Sequence, residues 1–295
     1  MLKRILLITT LASTSLLIAK EEPPFSYWDI HPIHVGGNAI RLGSADVTET
    51  PKKGHLIFGK YNAFLDVLVP ITKKSYFFPR VDWTTFTLDW NKNPKFNTTQ
   101  FNYTQFSLSF FTTDLENWRW IIRAQYNLDN KHFNNPSQYG LFSGLLWGAT
   151  EFNEKWHYHV GALGYKGMEG GQYWPVIGFD YSPNKKWTFF AVFPIEYYIR
   201  YNIDKHWHAS LKVRPLKERF RVGENEPQPK SVFSYTSIGT EVNIHYEIFR
   251  RLDIEAYGGW NFGGDFYIKD QHGQHPLYTN TGGSAYGGAS LNWGI

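Results

Sequence analysis

The stretch Trp187–Pro215 reads WTFFAVFPIEYYIRYNIDKHWHASLKVRP, and it decides the fold. Every second residue from Trp187 to Ile199 is apolar, and the alternation resumes at Trp207 after a turn at 204–206. The interleaved residues become polar towards the end of the first segment and are polar throughout the second. Alternation with period two over nine or more residues predicts strands with one apolar and one polar face. Repeated strands of this length indicate an all-β fold. They suggest an antiparallel transmembrane β-barrel whose apolar face meets lipid, but the alternation alone also fits a soluble sandwich, so other features must decide.

The composition supports this class and excludes several others. The chain has 295 residues, 18% of them aromatic, and no cysteine, which excludes disulfides, thiol chemistry and cysteine-based metal sites. The formal net charge is +4, and Lys3 and Arg4 account for two of these charges. The remaining charge of about +2 gives no reason to expect nucleic acid as a partner.

Residues 1–19 are predicted to be a secretory signal peptide, because Lys3 and Arg4 precede an apolar run of 14 residues from Ile5 to Ile18. An N-terminal membrane anchor is the alternative interpretation. No later run reaches the ~18 apolar residues of a membrane helix, so membrane insertion would require a barrel. Residues 20–54 are expected to be a periplasmic or lumenal N-terminal segment, with one short strand near 33–40 as an open alternative.

The barrel itself is predicted over residues 55–295, with about 12 strands and a range of 10–14. An even strand number with both termini in the periplasm places the long loops 215–230 and 263–284 outside, and short turns such as 204–206 inside. The predicted strands are 55–69, 76–90, 101–110, 118–128, 139–150, 156–162, 173–181, 187–200, 207–213, 231–248, 252–261 and 285–295.

Four charged turns end in tryptophan, at Trp118, Trp156, Trp187 and Trp207. A tryptophan at the mouth of a strand, next to a solvated turn, is where the aromatic girdle of a membrane barrel lies. Tryptophan also favours strands in general, but four occurrences indicate the girdle.

Four sequence blocks carry a family resemblance: Phe78-Pro79-Arg80, Leu88–Pro94, Leu141–Gly148 and Arg221–Pro227. They resemble an uncharacterised family of outer-membrane β-barrels from intracellular bacteria, over about residues 55–295. The resemblance implies a barrel in the bacterial outer membrane, and the predicted signal peptide implies secretion through the inner membrane to reach it. It implies no catalytic activity and no substrate.

The C-terminal residue departs from the usual barrel pattern. Barrels end in an aromatic residue that the insertion machinery reads, whereas this chain ends in Ile295, with Trp293 two residues earlier on the same face. The expected partners are outer-membrane lipid, this barrel insertion machinery and small polar solutes. The pattern says nothing about the oligomeric state.

Charged side chains on the polar strand faces are the candidate lining of the lumen. A basic row and an acidic row from the later strands could form a pore constriction that sorts solutes by charge, or a salt-bridge network that fills the barrel. The predicted lining residues are Arg119, Arg123, His157, His159, Glu196, Arg200, His208, Lys212, Arg214, Glu241, Glu247, Asp253 and Glu255.

No metal, cofactor or catalytic residue is predicted. His157 and His159 could share a metal ion, but without an assignable acidic partner we interpret them as polar lining. The chain is therefore expected to be a small-solute channel or a surface scaffold without catalysis. A secreted β-sandwich that binds carbohydrate and a membrane-embedded hydrolase are the alternatives.

Overall fold

The structure of the chain, a computed structural model, describes residues 32–47, 54–91, 93, 95–115, 117–168, 170–249, 252–272, 274 and 277–295. The predicted signal peptide lies outside the described residues. The elements are β1 (Ile33–Val47), β2 (Gly54–Val67), β3 (Val69–Pro70), β4 (Ser75–Trp90), β5 (Gln100–Thr112), β6 (Trp118–Asp129), α1 (Pro136–Tyr139), β7 (Gly140–Glu151), β8 (Trp156–Gly167), β9 (Gly171–Tyr181), β10 (Trp187–Phe193), β11 (Glu196–Asn202), β12 (Trp207–Arg221), β13 (Val232–Phe249), β14 (Leu252–Lys269), β15 (Leu277–Thr281) and β16 (Ser284–Gly294).

The strands form one closed antiparallel sheet. Each wall strand pairs with the next along the chain, and β16 pairs with β1 to close the barrel. Leaving out the short β3 and β15, the 16 strands give a wall of 14, at the upper end of the predicted range. Closure shows that the alternative of a two-sheet sandwich was wrong.

Two differences in strand assignment raise the count from 12 to 14. The segment predicted as one strand, 187–200, is a hairpin of β10 and β11, because Pro194 has no N–H and Ile195 donates back to the carbonyl of Val192 at 2.7 Å. The predicted N-terminal segment 20–54 contains β1, a full wall strand, so the barrel begins at Ile33 rather than at residue 55.

The strands β12 and β14 are longer than expected. Residues 215–221 and 263–269, predicted as loop because they carry proline, glycine and many charges, continue their strands. Residues 215–221 pair with β13 residue by residue, and residues 264–269 pair with it beyond a register shift between Ser237 and Gly239. This cross-strand pairing outweighs the loop-like composition of the two segments.

The two ends of the barrel differ. Ile33 and Ile295 exchange backbone hydrogen bonds at the end that we call the terminal end. The opposite end, the loop end, carries the longer connections 91–99, 130–139, 222–231 and 270–276.

Apolar side chains cover the outer face of the wall. They are exposed and alternate with buried inward residues along each strand, as lipid contact requires. Examples from different strands are Leu65, Phe106, Leu108, Ile122, Val160, Ile177, Ile199, Leu211, Val242, Ile244, Ile254 and Leu291. Among the described residues, no helix is long and apolar enough to cross a membrane.

The tryptophans lie at the terminal end as predicted, since Trp118, Trp156, Trp187 and Trp207 are the first residues of β6, β8, β10 and β12. Three of the preceding turns share one geometry. In the last of them, the Asp204 carboxylate accepts the N–H groups of His206 and Trp207 at 2.7 and 2.8 Å. These two hydrogen bonds hold the pKa of Asp204 below its ordinary value.

The asparagines of the other two turns act in the same way. Asn153 accepts the N–H of Trp156, and Asn184 accepts that of Trp187, each at 3.1 Å. An Asx residue three positions before the tryptophan therefore fixes where each strand starts. This local geometry places the indole rings at one level, as a girdle requires.

Replacing Trp207 by alanine should lower the free energy of unfolding by about 1–3 kcal/mol, because its ring stacks on Tyr246 with a centroid distance of 4.2 Å. The measurement is urea unfolding of the protein refolded into vesicles. Leu115→Ala, which truncates an exposed side chain in a turn at the same end, is the control and should change little. Equal losses in the two variants would contradict the girdle.

Candidate functional site: the barrel lumen

An aromatic cluster fills the lumen at the loop end, and we call it the aromatic closure. Its members are seven side chains that project inward from strands on opposite walls and one, Phe96, from the connection between β4 and β5. The seven are Phe58, Phe86, Phe101, Phe220, Phe233, Tyr235 and Phe266. Phe220 of β12 lies 4.6 Å from Phe86 of β4 and 4.8 Å from Phe101 of β5, measured between ring centroids. These strands are not neighbours in the sheet, so the contacts cross the lumen.

A second contact across the lumen lies beside the aromatic closure. Lys60 of β2 donates to Glu218 of β12 at 3.1 Å, and the ring of Phe58 lies 5.9 Å from that of Tyr235 on β13. The wall formed by β12 and β13 is therefore packed against the wall formed by β2, β4 and β5. The barrel is flattened at the loop end, and its interior there is an apolar core.

Two loops close over this end. Glu226 of the β12–β13 loop accepts the backbone N–H of Asn97 and the hydroxyl of Thr98, both in the β4–β5 loop. Within the β12–β13 loop, Lys230 pairs with Glu224 at 2.7 Å, which lowers the pKa of Glu224 and raises that of Lys230.

The charged rows predicted on the later strands form salt bridges along one wall. Arg214 of β12 donates twice to Glu241 of β13, at 2.5 and 2.6 Å. Lys212 lies 3.1 Å from Glu255 and 3.8 Å from Glu196. Because these residues lie on neighbouring strands or strands next but one, the predicted rows do not oppose each other across the lumen.

Histidine pairs occupy the inner face towards the terminal end. His157 and His159 of β8 contact the two carboxylate oxygens of Asp180 on β9, at 2.8 and 3.2 Å. His208 and His245 share a hydrogen bond of 2.8 Å, and the other ring nitrogen of His245 lies 3.1 Å from Asp253.

The expectation that no acidic partner could be assigned to these histidines was wrong. Asp180 stands directly opposite His157 in the β8–β9 register, so the pattern of the two strands together with the exact hairpin register would predict this pair. Among the described residues, no group of three histidine or acidic side chains is arranged to hold a metal ion.

The remaining predicted lining residues also project from the inner face. Arg119 lies 3.7 Å from Glu151, and the Nε of Arg123 donates to Ser109 at 3.0 Å. Arg200 is buried with its guanidinium near the ring of Tyr198, and Glu247 continues the inner face of β13. All thirteen predicted residues therefore lie on inner strand faces, spread over several separate polar clusters.

Sequence reasoning missed one further polar cluster on the first strands. Arg80 of β4 donates to both carboxylate oxygens of Asp82, at 2.6 and 2.8 Å, and lies 3.6 Å from Asp66. His34 of β1 contacts Asp66 at 2.8 Å. The alternation of β4 could have indicated Arg80 and Asp82, but Asp66 and His34 join them only through the register of β1, β2 and β4.

A 14-stranded closed barrel with an apolar outer face, an aromatic girdle and a polar inner face has the fold of an outer-membrane β-barrel protein. The family model "Domain of unknown function (DUF6268)" matches residues 89–294, and the chain belongs to this family.

Relatives of known sequence come from Chlamydia. An uncharacterised protein of Chlamydia pneumoniae is 27% identical over 195 residues, covering 66% of this chain and 61% of the relative. An uncharacterised protein of Chlamydia trachomatis serovar D is 23% identical, covering 65% of this chain and 60% of the relative. The matched part thus spans about three fifths of these relatives. This agrees with the predicted resemblance to a barrel family of intracellular bacteria.

Solved barrels show more distant similarity. An outer membrane channel from Pseudomonas putida F1 is 7% identical, with a TM-score of 0.49, over 90% of this chain and 95% of the channel. A FadL homologue from Pseudomonas aeruginosa is 9% identical, with a TM-score of 0.41, over 89% of this chain and 90% of that protein.

Proposed function

We propose that the protein is a channel for small solutes in the bacterial outer membrane, closed at the loop end in the state described here. The observation that carries the proposal is the division of the lumen. Polar and charged clusters lie in its terminal half, beside buried apolar clusters around Ile121 and Val192, and the aromatic closure fills the lumen at the loop end. A barrier of side chains can rearrange without breaking the strand ladder, whereas a wall of paired strands cannot.

The proposal includes export with removal of a signal peptide, insertion by the barrel assembly machinery and contact with outer-membrane lipid. It includes no catalytic step. Support for the location comes from the apolar outer face and the girdle, which suit a bilayer and would be costly in water. Resistance to carbonate extraction and a mobility difference between boiled and unboiled protein on a detergent gel would test the membrane barrel.

Opening the aromatic closure should increase conductance. In Phe220→Ala/Phe233→Ala, two rings that pack with other members of the closure are removed, so we expect larger and more frequent current steps in a planar bilayer than in the native chain. Phe106→Ala/Phe142→Ala removes two lipid-facing rings and is the matched control, with native conductance expected.

Heat-modifiable mobility would establish that both variants are folded barrels before they are recorded. If folded native and Phe220→Ala/Phe233→Ala proteins both lack conductance, the channel is refuted. A surface scaffold, which the same tightly packed closure suits, would then be the better function.

A further inference from the structure

The hairpin of β10 and β11 is too short to cross the bilayer. Each of its strands has 7 residues, whereas β9 has 11 and β12 has 15. A tilted membrane strand needs about 9–11 residues. The wall therefore extends less far towards the loop end at this hairpin than it does at β9 and β12 on either side.

The strand register shows where the wall is incomplete. The pairing of β9 with β10 ends at Ile177 and Phe193, and the pairing of β11 with β12 ends at Tyr197 and Val213. Beyond these pairs, residues 171–176 of β9 and 214–221 of β12 border a place where no strand lies between them. We call this place the seam.

The seam lies at membrane depth. Trp207 marks the girdle at the terminal end, and Lys217 is ten residues further along β12. At about 3.3 Å per residue and a strand tilt of about 40°, the rise is about 25 Å along the barrel axis. The apolar band of such barrels is about 25 Å tall, so Lys217 lies at the membrane interface of the loop end. The seam lies within the apolar band, between Lys217 and the β10–β11 hairpin.

Side chains close the seam. Lys217 lies 4.5 Å from the ring centroid of Trp174 and 5.1 Å from that of Tyr165, and its Nζ donates to Gln172. Arg219 donates to the hydroxyl of Tyr267 at 2.9 Å and lies 5.2 Å from the ring of Tyr165. Outward-facing cations of β12 thus meet inward-facing groups of the β8–β9 hairpin.

Neither cation has a carboxylate partner among the described residues. Cation–π contacts and neutral hydrogen bonds offset only part of the cost of removing an ammonium and a guanidinium from water. Two cations at the level of the headgroups can bind the head of an anion.

The surroundings of the seam are apolar. On the inner side lies a cluster that includes Val176, Ile195 and Tyr198, all buried. On the outer side, Ile177 and Tyr173 are among the most exposed apolar residues of the wall, with 62% and 77% exposure. A hydrocarbon chain that enters between β9 and β12 would meet apolar side chains on both sides.

We infer that the seam is a lateral binding site for an anionic amphiphile. The head of the amphiphile pairs with Lys217 and Arg219, and its hydrocarbon chain lies between β9 and β12, on the loop-end side of the β10–β11 hairpin. The site would let such molecules pass between the lumen and the bilayer, a route that rests on the proposed channel. Binding itself does not depend on conduction, so the two proposals can fail separately.

The test uses the absence of cysteine from the chain. The full chain with Ile195→Cys, labelled with an environment-sensitive fluorophore in uncharged detergent, is titrated with dodecanoate brominated at its tail. We expect saturable quenching, because the bromine would come close to residue 195. Adding Lys217→Gln/Arg219→Gln should raise the half-saturating concentration about tenfold or more.

Two controls separate the contribution of the charged head group to binding from that of the hydrocarbon tail. Lys185→Gln/Lys186→Gln removes the same charge at a turn of the terminal end and should leave the titration unchanged. Brominated dodecanol has the same chain without the charge and should quench the label equally with and without the seam substitutions. Unsaturable quenching, or the same loss in both charge variants, would overturn the site.

Competition identifies the source of the amphiphile. In vesicles of phosphatidylcholine, native affinity for the brominated dodecanoate is expected. If adding phosphatidylglycerol to the vesicles weakens the quenching, the occupant is a lipid of the bilayer. If only free dodecanoate does so, the occupant is a dissolved single-chain anion. Failure of both competitors would refute a site for anionic amphiphiles.

Discussion

Replacing Arg214 by methionine should destabilise the barrel by about 3–5 kcal/mol, because it leaves the carboxylate of Glu241 buried without its cation. Glu241 is 1% exposed, and Arg214 donates to both of its oxygens. The measurement is the free energy of unfolding in urea, in vesicles.

The double variant Arg214→Met/Glu241→Leu should recover most of this loss, because two apolar side chains of similar volume replace the pair. Lys185→Met, which removes one charge in an exposed turn, is the control and should stay within about 0.5 kcal/mol of the native chain. A double variant as unstable as the single one would show that the pair is not what stabilises this wall.

Replacing Gly259 by alanine should cost about 3 kcal/mol or more, or prevent the barrel from folding. A Cβ atom on Gly259 would lie 2.0 Å from the carbonyl oxygen of Thr240 and 2.8 Å from the Cα of Glu241. Both obstacles are backbone atoms of the paired strand β13, so no rotamer change can make room, and the β13–β14 ladder must separate.

The matched control is Gly223→Ala, because a Cβ atom on Gly223 meets nothing within 4 Å. The fraction of protein with heat-modifiable mobility after refolding gives the folding yield, and urea unfolding gives the stability of whatever folds. Near-native yield and stability for Gly259→Ala would mean that β14 lies further from β13 than the structure places it.

Local sequence determined the strands, their faces and their starting points. In β6, Arg119, Arg123 and Gln125 alternate with outward apolar residues, and this pattern alone was enough to place them on the inner face. The Asx residues at 153, 184 and 204 fix the start of the following strands through hydrogen bonds that span three residues. Such features need no distant partner, so they can be predicted from the sequence.

The sequence alone did not determine the end of a strand where that end depends on pairing with a neighbouring strand. Residues 215–221 of β12 look like a loop, yet they pair with β13, and the strand-like run 187–200 turns at Pro194. The partners of the lumen charges were equally hidden. Arg214 meets Glu241 only because the β12–β13 register brings them together, and sequence left a constriction and a salt-bridge network equally open.

Only the tertiary structure decided that the barrel is closed at one end and has a seam in its side. The aromatic closure joins β2, β4 and β5 to β12, β13 and β14, which are more than a hundred residues apart in the chain. The seam exists because three strand lengths, those of β9, the β10–β11 hairpin and β12, do not match. Alternation fixes the face of each side chain, since it is a property of one strand. Contacts across the lumen depend on the curvature of the whole sheet, which no single strand encodes.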